Sequence, residues 1–144
     1  MGDTAPGMSQ ANADVVRAVA DAWSRTAFDE AAAALDPAAE WHNTSSFPGP
    51  TVCSGRDEIV DLWRSLFDDF AVGRTEIEDI RVSGDAVVVL IHNWGRGRVS
   101  GAPIDTRWGS VWHLRDGRIV RVDVFGDYGN ALAAAGLADS EGAR

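Results

Sequence analysis

Apolar residues recur along this chain with two periods, and the change from one to the other divides it into a mainly helical first half and a mainly extended second half. Val15, Val19, Ala22 and Trp23 follow the i, i+4, i+7, i+8 spacing of one helical stripe, with Asn12 or Asp14 placed to cap its start. Phe28, Ala31, Ala32 and Leu35 repeat that spacing in a shorter helix, which must end before Pro37 because the residue preceding proline disfavours the α region. A short strand over Ala39–Asn43 is expected next. Thr44–Ser54, with Pro48, Gly49 and Pro50, then reads as a loop long enough to cover something. Ser54-Gly-Arg-Asp57 has the form of a capping box, and Ile59, Leu62, Trp63, Leu66, Phe67 and Phe70 draw the clearest helical stripe of the chain.

That stripe needs a sheet to lie on, and the period-2 segments 75–82, 86–94, 106–114 and 119–125 supply one. Ser83-Gly84-Asp85 and Arg115-Asp116-Gly117 are tight-turn sequences between them, so the sheet is largely antiparallel. Asp127 is placed to cap a last short helix over Asn130–Ala135, with Gly136 as its left-handed terminator. The fold class is α+β, in one domain over residues 12–138. Residues 1–11 read as a flexible leader and 139–144 as a flexible tail.

Strand alternation sorts the side chains by face. Val120, Val122 and Val124 should point to the helices and Arg121 and Asp123 away. Trp108, Ser110, Trp112 and Leu114 form the more apolar set of the preceding strand. In the strand 86–94 both sets are apolar, Val87, Val89, Ile91 and Asn93 against Val88, Leu90, His92 and Trp94. Both of its faces must therefore be covered, and a second subunit on the outer face is one way to do it.

Composition narrows the class. The chain has 144 residues, 45% hydrophobic and 24% charged, an ordinary balance for a globular domain. No segment approaches the apolar length of a membrane span, and no secretory signal opens the chain. The single Cys53 has no partner for an internal disulfide, which fits a reducing cytoplasm. The net charge is −9, and the basic residues, all arginine, are scattered, so a nucleic-acid partner is not expected.

The order of these elements, with Ala39-Glu-Trp-His-Asn43, Gly55-Arg-Asp-Glu-Ile59, Ser83-Gly-Asp85, Leu114-Arg-Asp-Gly-Arg-Ile119, Phe125-Gly-Asp127 and Ala135-Gly-Leu137, resembles the nuclear-transport-factor-2-like superfamily, and within it the SnoaL-like, polyketide-cyclase branch. The resemblance covers about Val15 to Leu137. It implies a cone of helices and curved sheet around a blind apolar pocket, often in a homodimer built across the outer sheet face, with no cofactor. It does not fix a reaction, because the superfamily holds steroid isomerases, polyketide cyclases, epoxide hydrolases, dehydratases and non-catalytic members.

Residue by residue, the isomerase pattern puts Asn43 at the position of the carboxylate base and Ser110 near that of the acid, and the first helix has no tyrosine. An amide takes no proton at neutral pH, so that mechanism is disfavoured. The epoxide-hydrolase pattern is met by Trp41 and Asn43, whereas its Asp-Arg-Asp core falls on Asn93, Ile91 and Val124. A one-residue bulge would bring Asp123 inward instead.

Two readings of the polar residues stand side by side. Asn93 makes a structural hydrogen bond near the rim, or Asn43, Asn93 and Ser110 converge as a donor patch for a substrate carbonyl. His42, His92 and His113 fall on the outer parity, yet His42 lies at a strand end where twist blurs parity. If His42 and Asp123 both turn inward, they form an acid–base pair. The candidate catalytic set is thus His42, Asn43, Asn93 and Asp123. The candidate substrate-binding set is Trp41, Phe47, Trp63, Phe67, Trp108, Ser110, Trp112 and Val124, and the tryptophans either stack a flat ligand or fill the cone themselves. No histidine pair has metal-ligand spacing, so no metal is expected. The expected partner is a small, apolar, oxygenated molecule undergoing cyclisation, isomerisation, dehydration or hydrolysis. One alternative is a non-catalytic dimeric ligand-binding or interaction module, whose interaction form a tightly packed cone without a cavity would select; another is an epoxide hydrolase with an altered catalytic set, which depends on the bulge.

Overall fold

The computed structural model describes residues 5–43, 51–67, 70–97 and 99–137; the expected tail and most of the covering loop lie outside these residues. The elements run α1 (Ala5–Ser24), α2 (Phe28–Ala32), β1 (Leu35–Asn43), β2 (Thr51–Ser54), α3 (Arg56–Phe67), β3 (Phe70–Ser83), β4 (Ala86–Gly97), β5 (Pro103–Arg115), β6 (Arg118–Phe125) and α4 (Tyr128–Ala134). The α+β class and the element order agree with the sequence reading. Several boundaries do not. Phe70, expected on the stripe of the third helix, opens β3 instead, and β4 and β5 extend to Gly97 and back to Pro103. α1 starts at Ala5, inside the expected leader, so Asn12 is a buried helical residue and not a cap. Leu35 opens β1 and is fully buried, while α2 stops at Ala32. The end of the expected loop is a strand, β2, antiparallel to β1.

The six strands form a curved, unclosed sheet in the order β2-β1-β6-β5-β4-β3. All neighbours are antiparallel except β1 and β6, which are parallel and bring the two halves of the chain together. α3 is fixed to β1 at its start. The Arg56 guanidinium donates from Nε (2.9 Å) and Nη2 (2.6 Å) to the Leu35 carbonyl, and the Gly55 N–H donates to Ala39 O at 2.8 Å. Gly55 has φ +90°, a conformation that favours glycine. The carboxylate that reaches back to the Ser54 N–H is that of Glu58, at 2.9 Å, one residue beyond the Asp57 of the expected capping box.

The concave face and the helices α1, α2 and α3 share one core, which includes Val16, Val19, Trp23, Leu35, Trp41, Ile59, Trp63, Val87, Val89, Ile91, Trp112, Ile119 and Val122. The last strand departs from strict alternation. Leu114 pairs with Ile119 but His113 with Arg121, so Val120 is the extra residue of a β-bulge, and Ile119 takes its inward place beside Val122 and Val124.

A second cluster lies on the convex face, where Val88 and Val111 are covered by Ala131 and Leu132 of α4, with Phe125 and Tyr128 at its margin. The doubly apolar β4 is therefore covered on both sides as expected, but at Val88 the cover is the chain's own last helix. Asp127 caps that helix, its Oδ1 accepting from Gly129 N (2.6 Å) and Asn130 N (3.3 Å), and Gly136 ends it at φ +78°. The close approach requires Gly109, whose position for a Cβ lies 2.7 Å from Tyr128 Cα.

Candidate functional site

The interior of the cone is built from indoles contributed by four elements. Trp23 of α1, Trp63 of α3, Trp41 of β1 and Trp112 of β5 are each at most 3% exposed. Trp23 lies 5.3 Å from Trp63, 5.7 Å from Trp112 and 6.1 Å from Trp41 between ring centroids, and Trp41 lies 5.7 Å from Trp112 and 5.9 Å from Trp63. Most of these pairs are edge-to-face, the arrangement that ring quadrupoles favour. Trp108 leans on Trp23 at 6.3 Å and is only partly buried. The rings thus pack against one another as core. Trp41, Trp63, Trp108, Trp112 and Val124 face the interior as expected. Phe47 lies outside the described residues, as does the side chain of Phe67 at the end of α3.

The polar residues inside are bound to those indoles. Asn93 Oδ1 accepts from Trp108 Nε1 at 2.6 Å, and its Nδ2 donates to Thr75 Oγ1 at 2.7 Å. Ser110 Oγ accepts from Trp112 Nε1 at 2.7 Å. Asn43 stands two strands from Ser110, because the register runs Asn43–Val124–Ser110 across β1, β6 and β5, a separation of about 10 Å at ordinary strand spacing. Asn93 pairs across the ladder with Thr106, four residues along β5 from Ser110. Asn43, Asn93 and Ser110 are therefore not one convergent patch. The Trp63 Nε1–H is buried without a hydrogen-bond partner among the described residues.

The conditional acid–base pair is not formed inside the cone. Asp123 lies opposite Val111 of the convex face, accepts from Arg121 Nε at 2.9 Å and sits 3.2 Å from His113 Nε2. His42 is in parallel register with Asp123 and pairs with Glu40, Nε2 to Oε1 2.7 Å. The bulge that could have turned Asp123 inward exists, but at Val120, where it leaves Val122 and Val124 inside. Among the described residues, the buried polar ones are Asn12, Asn93 and Ser110, with no carboxylate or imidazole.

Charged and titratable groups gather on the convex face instead. Arg107 grips Glu78 with two bonds, Nε to Oε1 at 2.7 Å and Nη2 to Oε2 at 3.1 Å, and so holds that carboxyl below its ordinary range. His92 lies between Glu78 and Asp105 and stacks on Trp94 at 4.5 Å. Nearby, burial and a 2.7 Å bond to Asp79 push the Tyr128 phenol well above its usual range. Sequence reasoning passed over this group because Glu76, Glu78, His92 and Asp105 come together only through the β3–β4–β5 register. Counting back from the Ser83-Gly84-Asp85 turn would have set Glu76 near His92. On the helical side, an open groove of about 720 Å³ between α2 and α3, edged by Asp29, Asp57, Asp61 and Arg64, involves none of the candidate residues. No described helix is long and apolar enough to cross a membrane.

Comparison with known proteins agrees with this architecture. The chain superposes on a putative SnoaL-like polyketide cyclase from Jannaschia sp. CCS1 with a TM-score of 0.74, 21% identity, and coverage of 87% of this chain and 90% of that one. An NTF2-like protein of unknown function from Burkholderia pseudomallei gives 0.70 at 24% identity, covering 85% and 95%. An LEH-like epoxide hydrolase of M. tuberculosis gives 0.67 at 19% identity, covering 88% and 90%. Among curated protein sequences nothing matches. The model of the SnoaL-like domain matches residues 16–122, from the first core helix to the last strand. The chain belongs to the SnoaL-like domain family.

Proposed function

We propose that this chain is a non-catalytic interaction module of its family, which pairs with a second copy of itself through the strip of convex sheet across β2, β1 and β6. The observation that carries the first part is that Asn93 and Ser110, the expected donors to a substrate carbonyl, are tied into the indole interior, with Trp108 and Trp112 donating to them and the Asn93 amide N–H donating to Thr75. Acid–base chemistry needs a titratable group at the reacting atoms, and His42 and Asp123 lie on the other side of the sheet.

Support for a second copy comes from that strip's own complementarity. Val52 is 60% exposed beside His42, and acids and bases stand next to each other, Glu40 with His42 and Asp123 with Arg121 and His113. A two-fold axis sets each such row against its own reverse, which favours a face carrying both signs. Sedimentation equilibrium tests the pairing: a dimer is expected for the native chain and a monomer for Val52→Glu with Arg121→Glu. A native monomer at all concentrations overturns it.

A second reading, a ligand-binding cone, is favoured by one observation, the buried Trp63 N–H, which has no partner among the described residues and which a ligand oxygen would satisfy. Titration with 2-naphthol, read by tryptophan fluorescence, separates the two. The interaction reading expects no saturable quenching; saturable quenching abolished by Trp63→Phe selects the ligand reading.

A further inference from the structure

We propose that Glu76, Glu78 and His92, on the convex face of β3 and β4, bind one divalent transition-metal ion of the zinc class. The site is separate from the pairing strip and does not depend on it. Its placement follows from the backbone. Glu76 is directly opposite His92 in the antiparallel ladder, and Glu78, two residues on, shares the same face. The register then slips between Ile77 and Asp79, so that Ile77 and Ile80 stay in the core while the strand swells outward at Glu78. One donor atom from each of the three side chains lies within 4.8 Å of the others.

The histidine is what separates this group from a plain acidic surface. Its Nε2 lies 2.9 Å from Asp105 Oδ1, while Nδ1 faces Glu78 Oε2 at 3.4 Å. With Nε2–H donating to Asp105, Nδ1 keeps its lone pair on the side of Glu78. A carboxylate that fixes the far nitrogen of a ligating imidazole is the usual support of a protein metal site. The stack on Trp94, at 4.5 Å and 24° between planes, holds the ring in that orientation. Arg107 binds both Glu78 oxygens, yet each carboxylate oxygen has a second lone pair for an ion.

One imidazole nitrogen and two carboxylates, with water completing the shell, suit zinc and its neighbours. Magnesium prefers oxygen alone in an octahedral shell, and soft ions prefer sulfur. Glu76, Glu78 and Asp105 together, offset by Arg107, leave two negative charges to match a divalent ion.

The test is calorimetric titration of the full, tag-free chain with zinc chloride. Saturable one-to-one binding is expected, weakened at least tenfold in Glu76→Gln and His92→Ala. Glu76 is exposed, so its variant keeps the fold. Asp105→Asn leaves every ligand in place and should weaken binding by about 10- to 100-fold. His42→Ala, His113→Ala and Cys53→Ser should titrate as the native chain does, and a cobalt(II) complex should show ligand-field bands without thiolate charge transfer. Absent binding, or binding that follows Cys53 or His113 in place of Glu76 and His92, overturns the site.

Discussion

Replacing Gly109 by alanine tests the seating of α4 with a single methyl group. The new Cβ would stand 2.7 Å from Tyr128 Cα and 3.2 Å from both Ala131 Cβ and Tyr128 Cδ1. Ordinary contact begins near 3.4 Å, so the helix must retreat by at least 0.7 Å, and the nearest atom is backbone that no rotamer can move aside. Retreat stretches the 2.7 Å bond from Tyr128 Oη to Asp79 and loosens the cover over Val88 and Val111. Overpacking of this kind costs about 1–3 kcal/mol. For a chain of this size that lowers Tm by roughly 3–9 °C, read by calorimetry or circular-dichroism melting. Gly97→Ala is the matched control, because the atom its Cβ would meet at 2.8 Å is the Ser100 hydroxyl, which can rotate away at the cost of one exposed bond from the Ala102 N–H. A strand glycine with no such contact would gain up to about 1 kcal/mol on becoming alanine. A Gly109→Ala protein as stable as the native chain, or more so, would refute the close seating of α4.

Ser110→Ala removes the hydroxyl that accepts from the buried Trp112 N–H and should cost about 1–3 kcal/mol in urea denaturation; a loss under about 0.5 kcal/mol would show that the bond is not structural. Tyr128→Phe should cost about 1.5 kcal/mol at pH 8, the worth of a hydrogen bond to a charged group in a half-buried site. Burial, then the bond to Asp79, raises the folded phenol above its ordinary pKa of 10, so the folded state keeps a proton that the unfolded state releases. The stability from this group is therefore fully present below pH 10 and fades as pH rises toward the folded value. Melts at pH 8 and pH 11 should show the native chain's advantage over Tyr128→Phe shrinking, and an advantage that grows would reverse the assignment.

Much of the architecture was legible in the chain because it rests on local rules. Ile59 and Trp63 repeat at helical spacing and are buried, Val87, Val89 and Ile91 alternate and are buried, and Asp127 and Gly136 bound α4 as their chemistry dictates. What was not legible depends on partners far along the chain. α4 covers Val88 and Val111, a contact whose only local trace is Gly109. The Val120 bulge fixes the inward set of β6 through pairing with β5, and no residue in β6 marks it. The site residues divide in the same way. Parity placed Asn93 and Ser110 inside, but their bonds to Trp108 and Trp112 depend on how neighbouring indoles turn, which a period cannot express. His42 and Asp123 kept their outer parity, side by side in the β1–β6 register, with their neighbours Trp41, Val122 and Val124 turned into the core.

The parallel joint between β1 and β6 governs the order in which the molecule can be completed. β1 finds its neighbour on that side only once Val122 and Val124, some eighty positions later, are available. Until then a nascent chain carries Trp23 and Trp41 with nothing to bury them fully, so ribosome-bound fragments ending before β6 should be open to protease and to holdase chaperones. Release from that state is late and all at once, when the final strand slots between two that are already made.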